Sequence, residues 1–485
     1  MSLYIGIDFG TSTLYVTKWD EEKQIALPVP NLIPSEYGSG NYVDNVVYYE
    51  ESCNLIMGKK AVKHCQLDPW NGVSEIKRHL DDDRWSREIR GHKKTAKDII
   101  TDIFTFIKMR VETIYGGQEI TGAVISVPYA FEPKERKKIE TAAKSAGVPV
   151  LALIEEPVAA ALSSGLFDEL RPGSKETVLI FDLGGGTFDV TLFDAILGND
   201  GKKSVIVKNT DGERLLGGAN IDQLIADKFL SMMTAGSGPL HDARFRNELF
   251  EEARQTKIGL SDMQEYEIFK KFEIVDNPLE EVITRSQLEE WLEGSFLYKI
   301  DNVLDRVLDD ISVQISEIEQ IILVGGTSNI PIIAKRVTDF FGKRPKMIDD
   351  PGELVGKGAA IYCGIITGRS EKIDVIRRSS HGFGVRVTNK TIKPILIRNE
   401  LYGQYSPFYD FSLPKDKQKG KVVIYQGNSP FIEHCSEVGY LVVNQQDYPN
   451  GIIRMQLKMS DSGLVCYRTF NEKSKFVSEG EVARV

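Results

Sequence analysis

Two segments of the sequence place an aspartate at the end of an apolar strand, directly before a glycine-rich turn. The strand Leu3–Asp8 is followed by the turn Gly10–Ser12, and the strand Val178–Asp182 by the turn Gly184–Thr187. Backbone N–H groups of such turns can approach a phosphate closely. An aspartate beside phosphate is favourable only with a cation between them. We therefore predict that the two aspartates hold a hydrated Mg²⁺, an ion that prefers few carboxylates and several waters.

A third turn of the same kind supports this interpretation. The apolar strand Ile321–Val324 leads directly into Gly325–Ser328. Each aspartate turn is also followed by a return strand, Thr13–Trp19 after the first and Phe188–Phe193 after the second. The GxxxxGK[ST] phosphate-binding loop does not occur in the sequence. The repeated hairpin predicts two similar lobes that face each other across a cleft.

The segments between these turns have the spacing of helices. Apolar residues recur at helical intervals in Lys97–Ile114, which stops before Gly116, and Glu353–Ile366 is predicted as a tightly packed helix. Thr284 and Gln287 form a capping-box pattern before a further amphipathic helix. Strands that alternate with helices indicate an α/β architecture.

The pattern changes towards the C-terminus. Helical periodicity gives way to short strands separated by Gly, Pro and Asn, such as Lys421–Tyr425 and Ile452–Lys458. This texture predicts an antiparallel β domain. We expect residues 1–371 to form the α/β part, 372–380 to be a linker, and 381–485 to be the β domain.

Composition argues against several classes of protein. The chain has 485 residues, of which 41% are hydrophobic and 27% charged, so it can bury sizeable cores. A net charge of −10 argues against a protein that coats nucleic acid, and no apolar stretch approaches the roughly 18 residues of a membrane span. Five scattered cysteines without a CxxC motif fit reduced thiols. Because the N-terminus has no signal-peptide pattern, we expect a cytoplasmic protein without nucleic-acid or membrane partners.

Five motifs, in this order, resemble the ATPase domain of the heat-shock protein 70 (DnaK-like) chaperone family: IGIDFGTS, SVPYAFEPKERKKIETAAKSAG, EEPVAAALSSGL, FDLGGGTFDV and ILVGGTSNIP. That domain belongs to the actin and hexokinase superfamily. The resemblance covers residues 1–371, and a weaker one, carried by VVIYQG and MSDSGLVCY, links residues 381–485 to the family's peptide-binding β-sandwich. It implies a two-lobed actin-like ATPase domain followed by a small antiparallel β-sandwich. It also implies a chaperone that hydrolyses ATP and couples its nucleotide state to binding of an unfolded or extended client.

The resemblance assigns roles to residues that match the family's motifs. Lys77 would stabilise charge on the γ-phosphate, and Glu156 would lie near the metal and the hinge between the lobes. Pro128 and Arg136 would relay the nucleotide state to the linker. The implied catalytic residues are Lys77, Asp8, Glu156, Asp182, Thr187 and Asp189, with Asp8 and Asp182 bound to the metal through water. The implied nucleotide-binding residues are Gly10, Thr11, Ser12, Gly184, Gly185, Gly186, Gly217, Gly218, Arg254, Lys257, Ser261, Gly325, Gly326, Thr327 and Asn329. The implied ligands are ATP or ADP and Mg²⁺, with K⁺ as a further candidate.

Three positions in the adenosine pocket depart from the family pattern. Arg254 stands where a ribose-contacting glutamate is usual, Asn329 where an arginine packs on adenine, and Gly352 where an acidic residue lies near the ribose. A guanidinium packs well on π-faces, so Arg254 is expected either to stack on the base or to lie at the surface. The three departures therefore bear on the affinity for the nucleotide and not on the chemistry of its phosphates.

Partner sites depart as well. Ala152 replaces the arginine that meets J-domain cochaperones and Glu155 replaces an asparagine, which argues against a normal J-domain partnership. A nucleotide-exchange factor stays open as a partner. The linker keeps apolar residues within Ile373–Ile376, but Arg377 and Arg378 follow, so its charge is reversed. Coupling between the domains is expected in altered form.

The β domain offers few specific signals for a client. Val385 and Val387 are candidate contacts with a peptide, although a half-buried strand explains them as well. Because the sequence ends with this domain, the family's helical lid is expected to be absent and peptide exchange to be fast. An aromatic cluster is interpreted as core in preference to a binding surface; its members are Tyr402, Tyr405, Phe408, Tyr409 and Phe411.

Two alternative functions stay open. A non-hydrolysing, nucleotide-gated scaffold for one dedicated partner fits the altered adenosine and cochaperone positions, but the complete catalytic set opposes it. A small-molecule kinase of the same superfamily would need a carboxylate base beside a substrate pocket. Lys77 and the appended β domain argue against the kinase.

Overall fold

A computed structural model describes residues 2–33, 41–233, 242–275, 278–309, 313–346, 348, 350–379, 381–413 and 418–482. Ser380, the predicted last residue of the linker, lies outside the described residues. So do residue 1 and residues 483–485, where the first predicted domain begins and the last one ends. Strands and helices make up the described chain as far as residue 376, and beyond it the regular elements are strands and short 3₁₀ turns.

The first part of the chain forms a lobe, here called the first lobe. Its elements are β1 (Tyr4–Phe9), β2 (Thr13–Asp20), β3 (Ile25–Pro28), β4 (Tyr42–Asp44), β5 (Val46–Tyr49), β6 (Leu55–Met57), α1 (Lys59–Leu67), β7 (Gly72–Ser74), β8 (Ser86–Ile89), β9 (His92–Thr95), α2 (Ala96–Ile114), β10 (Gly122–Val127), α3 (Pro133–Ser145), β11 (Val150–Glu155) and α4 (Glu156–Ser163). The main sheet has the order β11-β10-β1-β2-β3, with β4 also paired to β2. Because β1, β10 and β11 are parallel, the residues that follow them come to one edge of the sheet.

The second lobe repeats this plan. Its elements are β12 (Ser174–Leu183), β13 (Phe188–Leu197), β14 (Lys203–Glu213), α5 (Gly218–Met232), α6 (Ala243–Asp262), β15 (Glu265–Lys270), β16 (Leu279–Thr284), α7 (Arg285–Glu293), α8 (Leu297–Asp309), β17 (Gln320–Val324), α9 (Pro331–Phe341) and β18 (Ile373–Ile376). Between α9 and β18, helix α10 (Glu353–Ile366) returns to the first lobe and packs against β1, β2 and β10. The sheet order is β17-β12-β13-β14-β18. Since β12 and β17 are parallel, Asp182 and Gly325 also meet at one edge. The predicted α/β architecture is confirmed.

Local sequence signals predict closely where several helices begin. The helix Glu353–Ile366 has the predicted bounds. Helix α2 begins at Ala96, one residue before the prediction, because Thr95 and Asp98 form a capping box there. The predicted box of Thr284 with Gln287 caps α7.

The C-terminal part of the chain is a sandwich of two four-stranded sheets. Its strands are β19 (Phe383–Arg386), β20 (Ile392–Leu396), β21 (Tyr409–Ser412), β22 (Lys419–Gln426), β23 (Ser436–Asn444), β24 (Ile452–Met459), β25 (Val465–Phe470) and β26 (Phe476–Glu481). The orders are β20-β19-β22-β23 and β21-β24-β25-β26, all antiparallel. Their facing sides bury a common core that includes Ile424, Leu441, Met455 and Leu457.

The linker is not a free connection. Residues Ile373–Ile376 form β18, which pairs in parallel with Lys203–Ile206 of β14 and becomes the edge strand of the second sheet. Alternation of apolar residues in this segment permits a strand, and Ile373 and Val375 pack against the core between the lobes. The linker therefore ties the sandwich directly to the second lobe.

Helix α10 crosses α4 at a contact that leaves no room for a side chain. A Cβ at Gly358 would lie 1.7 Å from the carbonyl oxygen of Ala159. We expect Gly358→Ala to lower the free energy of unfolding by about 1–3 kcal/mol, because the helices must move apart. The midpoint of thermal unfolding measures this loss. Gly294→Ala is the matched control, since nothing lies within 4 Å of a Cβ there and its φ is −71°; an equal loss in both variants would contradict the packing explanation.

Candidate functional site

The first two glycine turns face each other across the cleft at very short range. A Cβ at Gly185 would lie 2.2 Å from Ser12 Oγ, and one at Gly186 would lie 2.7 Å from Thr11 Cγ2. Within the second turn the Gly184 N–H donates to the carbonyl of Thr187 at 3.0 Å. A narrow cavity of about 70 Å³ lies between the turns. Only glycine permits this approach, which leaves backbone N–H groups as the lining.

The other predicted glycines close the same space. A Cβ at Gly217 would lie 2.6 Å from the backbone nitrogen of Gly186, and one at Gly325 2.9 Å from Asp182 Oδ1. Thr327 Oγ1 donates to the carbonyl of Gly184 at 2.8 Å. Gly10 and Gly326 line the 70 Å³ cavity, and Gly218 N–H donates to the Gly184 carbonyl at 3.0 Å. The predicted phosphate turns thus converge on one place.

Buried carboxylates surround this place. Asp182 and Asp189 are directly opposite each other on β12 and β13, while Ser126 on β10 donates to Asp8 Oδ1 at 2.7 Å. Burial and the nearby Glu156 raise the pKa of Asp8 to about 7 and that of Asp189 to about 8, against the opposing charge of Lys77. Burial, followed by the charges of Glu156, Asp189 and Asp8, also raises the pKa of Asp182, and Lys77 opposes this. So many buried carboxylates favour a bound cation.

Lys77 is held in the centre of this cluster. It lies in a short 3₁₀ turn, Ile76–His79, and is 3% exposed. Its Nζ is 2.7 Å from Glu156 Oε1, at the first residue of α4. The rings of Phe9 and Phe131 lie 5.9 and 5.5 Å from the Nζ. A lysine fixed in this way presents its charge to the cleft with little freedom to move.

A larger cavity of about 790 Å³ adjoins the phosphate turns. Lys257 and Ser261 of α6 line it, together with Thr327 and Asn329. Lys257 is buried and pairs with Asp222 at 2.6 Å. Sequence reasoning missed other lining residues, because their types carry no signal for such a role; they include Asn45, Trp70, Arg246 and Phe250.

Arg254 forms an ion pair that the sequence did not predict. It lines the large cavity, but its Nη2 is 2.6 Å from Asp44 Oδ1, at the end of β4 in the opposite lobe. Glu251, one turn earlier on α6, lies 3.6 Å from its Nη1. The guanidinium is therefore held by an ion pair across the cleft and is not a free surface group, while its stacking on a base stays a prediction.

Comparison with known proteins agrees with this geometry. The family model described as Hsp70 protein matches residues 4–477. A "Chaperone protein DnaK" of Methanothermobacter thermautotrophicus is 30% identical over 466 residues, which cover 93% of this chain and 75% of that protein. A second, of Elusimicrobium minutum, is 29% identical over 449 residues, 90% of this chain and 70% of that protein. The chain belongs to the Hsp70 family. Hsp70 proteins are chaperones that bind ATP or ADP, generally with Mg²⁺, and the resemblance predicted from the motifs is confirmed.

The carboxylates of this Hsp70 chain fit a hydrated Mg²⁺. Asp182 Oδ2 and Asp189 Oδ1 are buried and have no hydrogen-bond partner within the described part of the chain. In the same part, no group of three or more His, Cys, Asp or Glu side chains is arranged to hold a metal directly. Binding through water is the mode that such a site allows.

A buried junction links the site of this Hsp70 chain to its linker. Arg136 donates to the carbonyl of Tyr129, in the loop after Pro128, at 3.3 Å and lies 2.7 Å from Glu155 Oε1. Backbone N–H groups of that loop hold Asp189. On the other side, Arg377 Nη2 is 2.5 Å from Glu155 Oε2. The chain of contacts therefore runs from the carboxylate cluster to the linker.

The sandwich joins this junction. Tyr402 donates to Glu155 Oε1 at 3.1 Å, and Arg377 donates to the carbonyl of Asp461 at 2.6 Å. Burial alone would raise the pKa of Glu155, but Arg377 and Arg136 outweigh it and hold that pKa at about 2. Tyr402 packs against the core of the sandwich, as predicted, and its hydroxyl also reaches the contact between domains. Glu155 and Arg377 thus compensate each other's charge inside the junction.

The two candidate client contacts differ in exposure. Val385 is 3% exposed and packs in the core of the sandwich, so it is a structural residue, whereas Val387 is 49% exposed. Both residues were predicted from a period-two alternation along one strand. Strand β19 ends at Arg386, so Val387 lies outside it. Phe408, interpreted as core, is 50% exposed.

Among the described helices, none has the length and apolar character needed to cross a bilayer.

Proposed function

We propose that this Hsp70 chain hydrolyses ATP to ADP and phosphate between its two actin-like lobes and couples the nucleotide state to binding of an extended client by its sandwich. The observation that carries the proposal is the convergence of three glycine turns, Lys77 and four carboxylates, three of them buried, on one cleft. Phosphoryl transfer to water depends mainly on positioning and on neutralisation of charge. This arrangement supplies both.

Each residue has a defined part in this reaction. The turns at Gly10–Ser12 and Gly184–Thr187 bind phosphate oxygens through backbone N–H groups. Asp8 and Asp182 hold the water shell of Mg²⁺, which neutralises phosphate charge when bound. Lys77, oriented by Glu156, stabilises the charge that develops on the γ-phosphate. Asp189, opposite Asp182, orients the attacking water.

The coupling uses the buried junction. Arg136 contacts both the loop after Pro128 and Glu155, so a change at Asp189 reaches the residue that holds the linker. Client binding is assigned to the sandwich, where an extended segment can be bound by strand-type contacts. Val387 is the exposed candidate for such a contact.

Single-turnover hydrolysis of Mg²⁺-ATP, with and without an unfolded peptide, tests the proposal. We expect cleavage of ATP that becomes several-fold faster when peptide is added. If ATP binds but is not cleaved, the nucleotide-gated scaffold replaces ATP hydrolysis as the function of the chain. Cleavage that is indifferent to every peptide would retain the ATPase and remove the coupling.

A further inference from the structure

The cavity beside the phosphate turns must bind the nucleoside part of a nucleotide, and this inference rests on the proposed ATP site. A ribose presents two hydroxyl groups that donate hydrogen bonds, so the cavity should offer acceptors. Arg254 and Lys257, which line the cavity, have donors only. Two acidic groups on the same wall face these cations: Glu251 lies 3.6 Å from Arg254, and Asp222 pairs with Lys257 at 2.6 Å.

Asn45 is a buried acceptor without a partner in the same cavity. The residue is 1% exposed, and its Oδ1 has no hydrogen-bond partner among the described residues. Its Nδ2 donates to the carbonyl of Gly10 at 2.7 Å, which fixes the orientation of the amide with Oδ1 turned away from that carbonyl. A buried polar atom in this condition is rare and costs free energy until a donor arrives.

The position of Asn45 matches that of a ribose. Its backbone N–H donates to the carbonyl of Ser12 at 2.8 Å, so it is attached to the first phosphate turn. The large cavity extends from Ser12 and Gly185 to Ser261 and Asn329. When phosphates occupy the turns, the group that comes next along a nucleotide is the sugar.

Arg254, on the other side of the cleft, fixes this residue through the neighbouring Asp44. The carboxylate of Asp44 pairs with Arg254 of α6, so the strand end that carries Asn45 is fastened to the second lobe. We propose that Asn45 accepts a hydrogen bond from a ribose hydroxyl of the bound nucleotide, while Arg254 positions it through Asp44 and makes no contact with the sugar. The ligand class is thus a ribonucleotide in preference to a deoxyribonucleotide.

Binding of ADP and of 2′,3′-dideoxy-ADP to the full chain with Mg²⁺, measured by calorimetry, tests this assignment. We expect the wild type to bind ADP about five- to tenfold more tightly than the dideoxy compound. Asn45→Leu should bind the two nucleotides equally. Asn45→Asp, which keeps an acceptor oxygen, should retain the preference for ADP. Because each comparison is made within one variant, a general disturbance of the turn cancels.

Asn247→Leu is the matched control. Asn247 lines the same cavity but donates to the carbonyl of Cys65 at 3.2 Å on an exposed face, so its loss should leave the preference for ADP unchanged. A wild type that binds both nucleotides equally, or an Asn45→Leu variant that keeps the preference, would overturn the assignment. Failure of the wild type to bind ADP at all would instead remove the proposed function. If Asn45→Leu binds neither nucleotide, the Asn45→Asp variant decides: loss of its preference for ADP overturns the assignment.

Discussion

Replacing Lys77 with alanine is expected to lower the single-turnover rate of ATP hydrolysis about 100-fold or more. Its ammonium is buried, 2.7 Å from Glu156, in a place where a charge acts on the reacting phosphate without much screening by water. The affinity for Mg²⁺-ATP should change less, within about tenfold, because several glycine turns also hold the phosphates. Rapid-quench hydrolysis and equilibrium binding separate the two effects.

Lys94→Ala is the control for this experiment. Lys94 belongs to the same lobe and makes contacts of the same kind, with its Nζ 2.7 Å from Asp102 and 4.9 Å from the ring centre of Tyr49, although its side chain is more exposed. It lies on β9, outside both cleft cavities. We expect its loss to leave hydrolysis unchanged. Equal rates in the Lys77→Ala variant and the wild type would show that the charge on the γ-phosphate is stabilised by other groups.

Local sequence signals were sufficient for the centre of the site. A strand that ends in aspartate and meets glycines has few ways to fold, so Asp8 and Asp182 could be placed on facing turns from the sequence. The capping residue Thr284 and the helix at Glu353–Ile366 were predictable for the same reason, since their signals lie within a few residues.

Contacts between distant segments could not be predicted in this way. Asp44 and Arg254 are 210 positions apart, and neither residue type at its position indicates a pair across a cleft. The linker was expected to connect two domains, but its pairing with β14 depends on an open sheet edge that the sequence does not reveal. Val385 and Val387 share a period-two pattern in the sequence. Val385 is buried and Val387 is exposed because β19 ends between them, at Arg386.

Replacing Arg377 with alanine is expected to release the sandwich from the ATPase lobes. Arg377 is 5% exposed and makes a double contact with Glu155, at 2.7 Å through Nε and 2.5 Å through Nη2. Breaking a buried pair costs about 3 kcal/mol even though Arg136 remains beside Glu155, so the equilibrium constant for docking should fall about 100-fold. Small-angle X-ray scattering should record a larger radius of gyration, and a protease should cleave near residue 376 faster.

Arg306→Ala supplies the comparison with an ordinary surface pair. Arg306 contacts Asp211 at 2.9 Å on the second lobe, but it is 44% exposed, so its removal should cost less than about 1 kcal/mol and leave the domains docked. Glu155→Gln should resemble Arg377→Ala, because it also leaves Arg377 buried without a counter-ion. Unchanged scattering in both variants would mean that other contacts hold the domains together, such as the bond from Arg398 to the carbonyl of Thr210 and the pair of Lys137 with Glu481.

The same substitution separates mechanical docking from communication. Arg136 connects Glu155 to the loop that holds Asp189, so removal of Arg377 cuts the path at its linker end and leaves the site end intact. The Arg377→Ala variant should therefore hydrolyse ATP without peptide, yet lose the acceleration that peptide causes in the wild type. Retained acceleration would place the coupling in contacts outside this junction. Glu155 is the counter-ion that lets a linker ending in Arg377 remain docked at this buried junction.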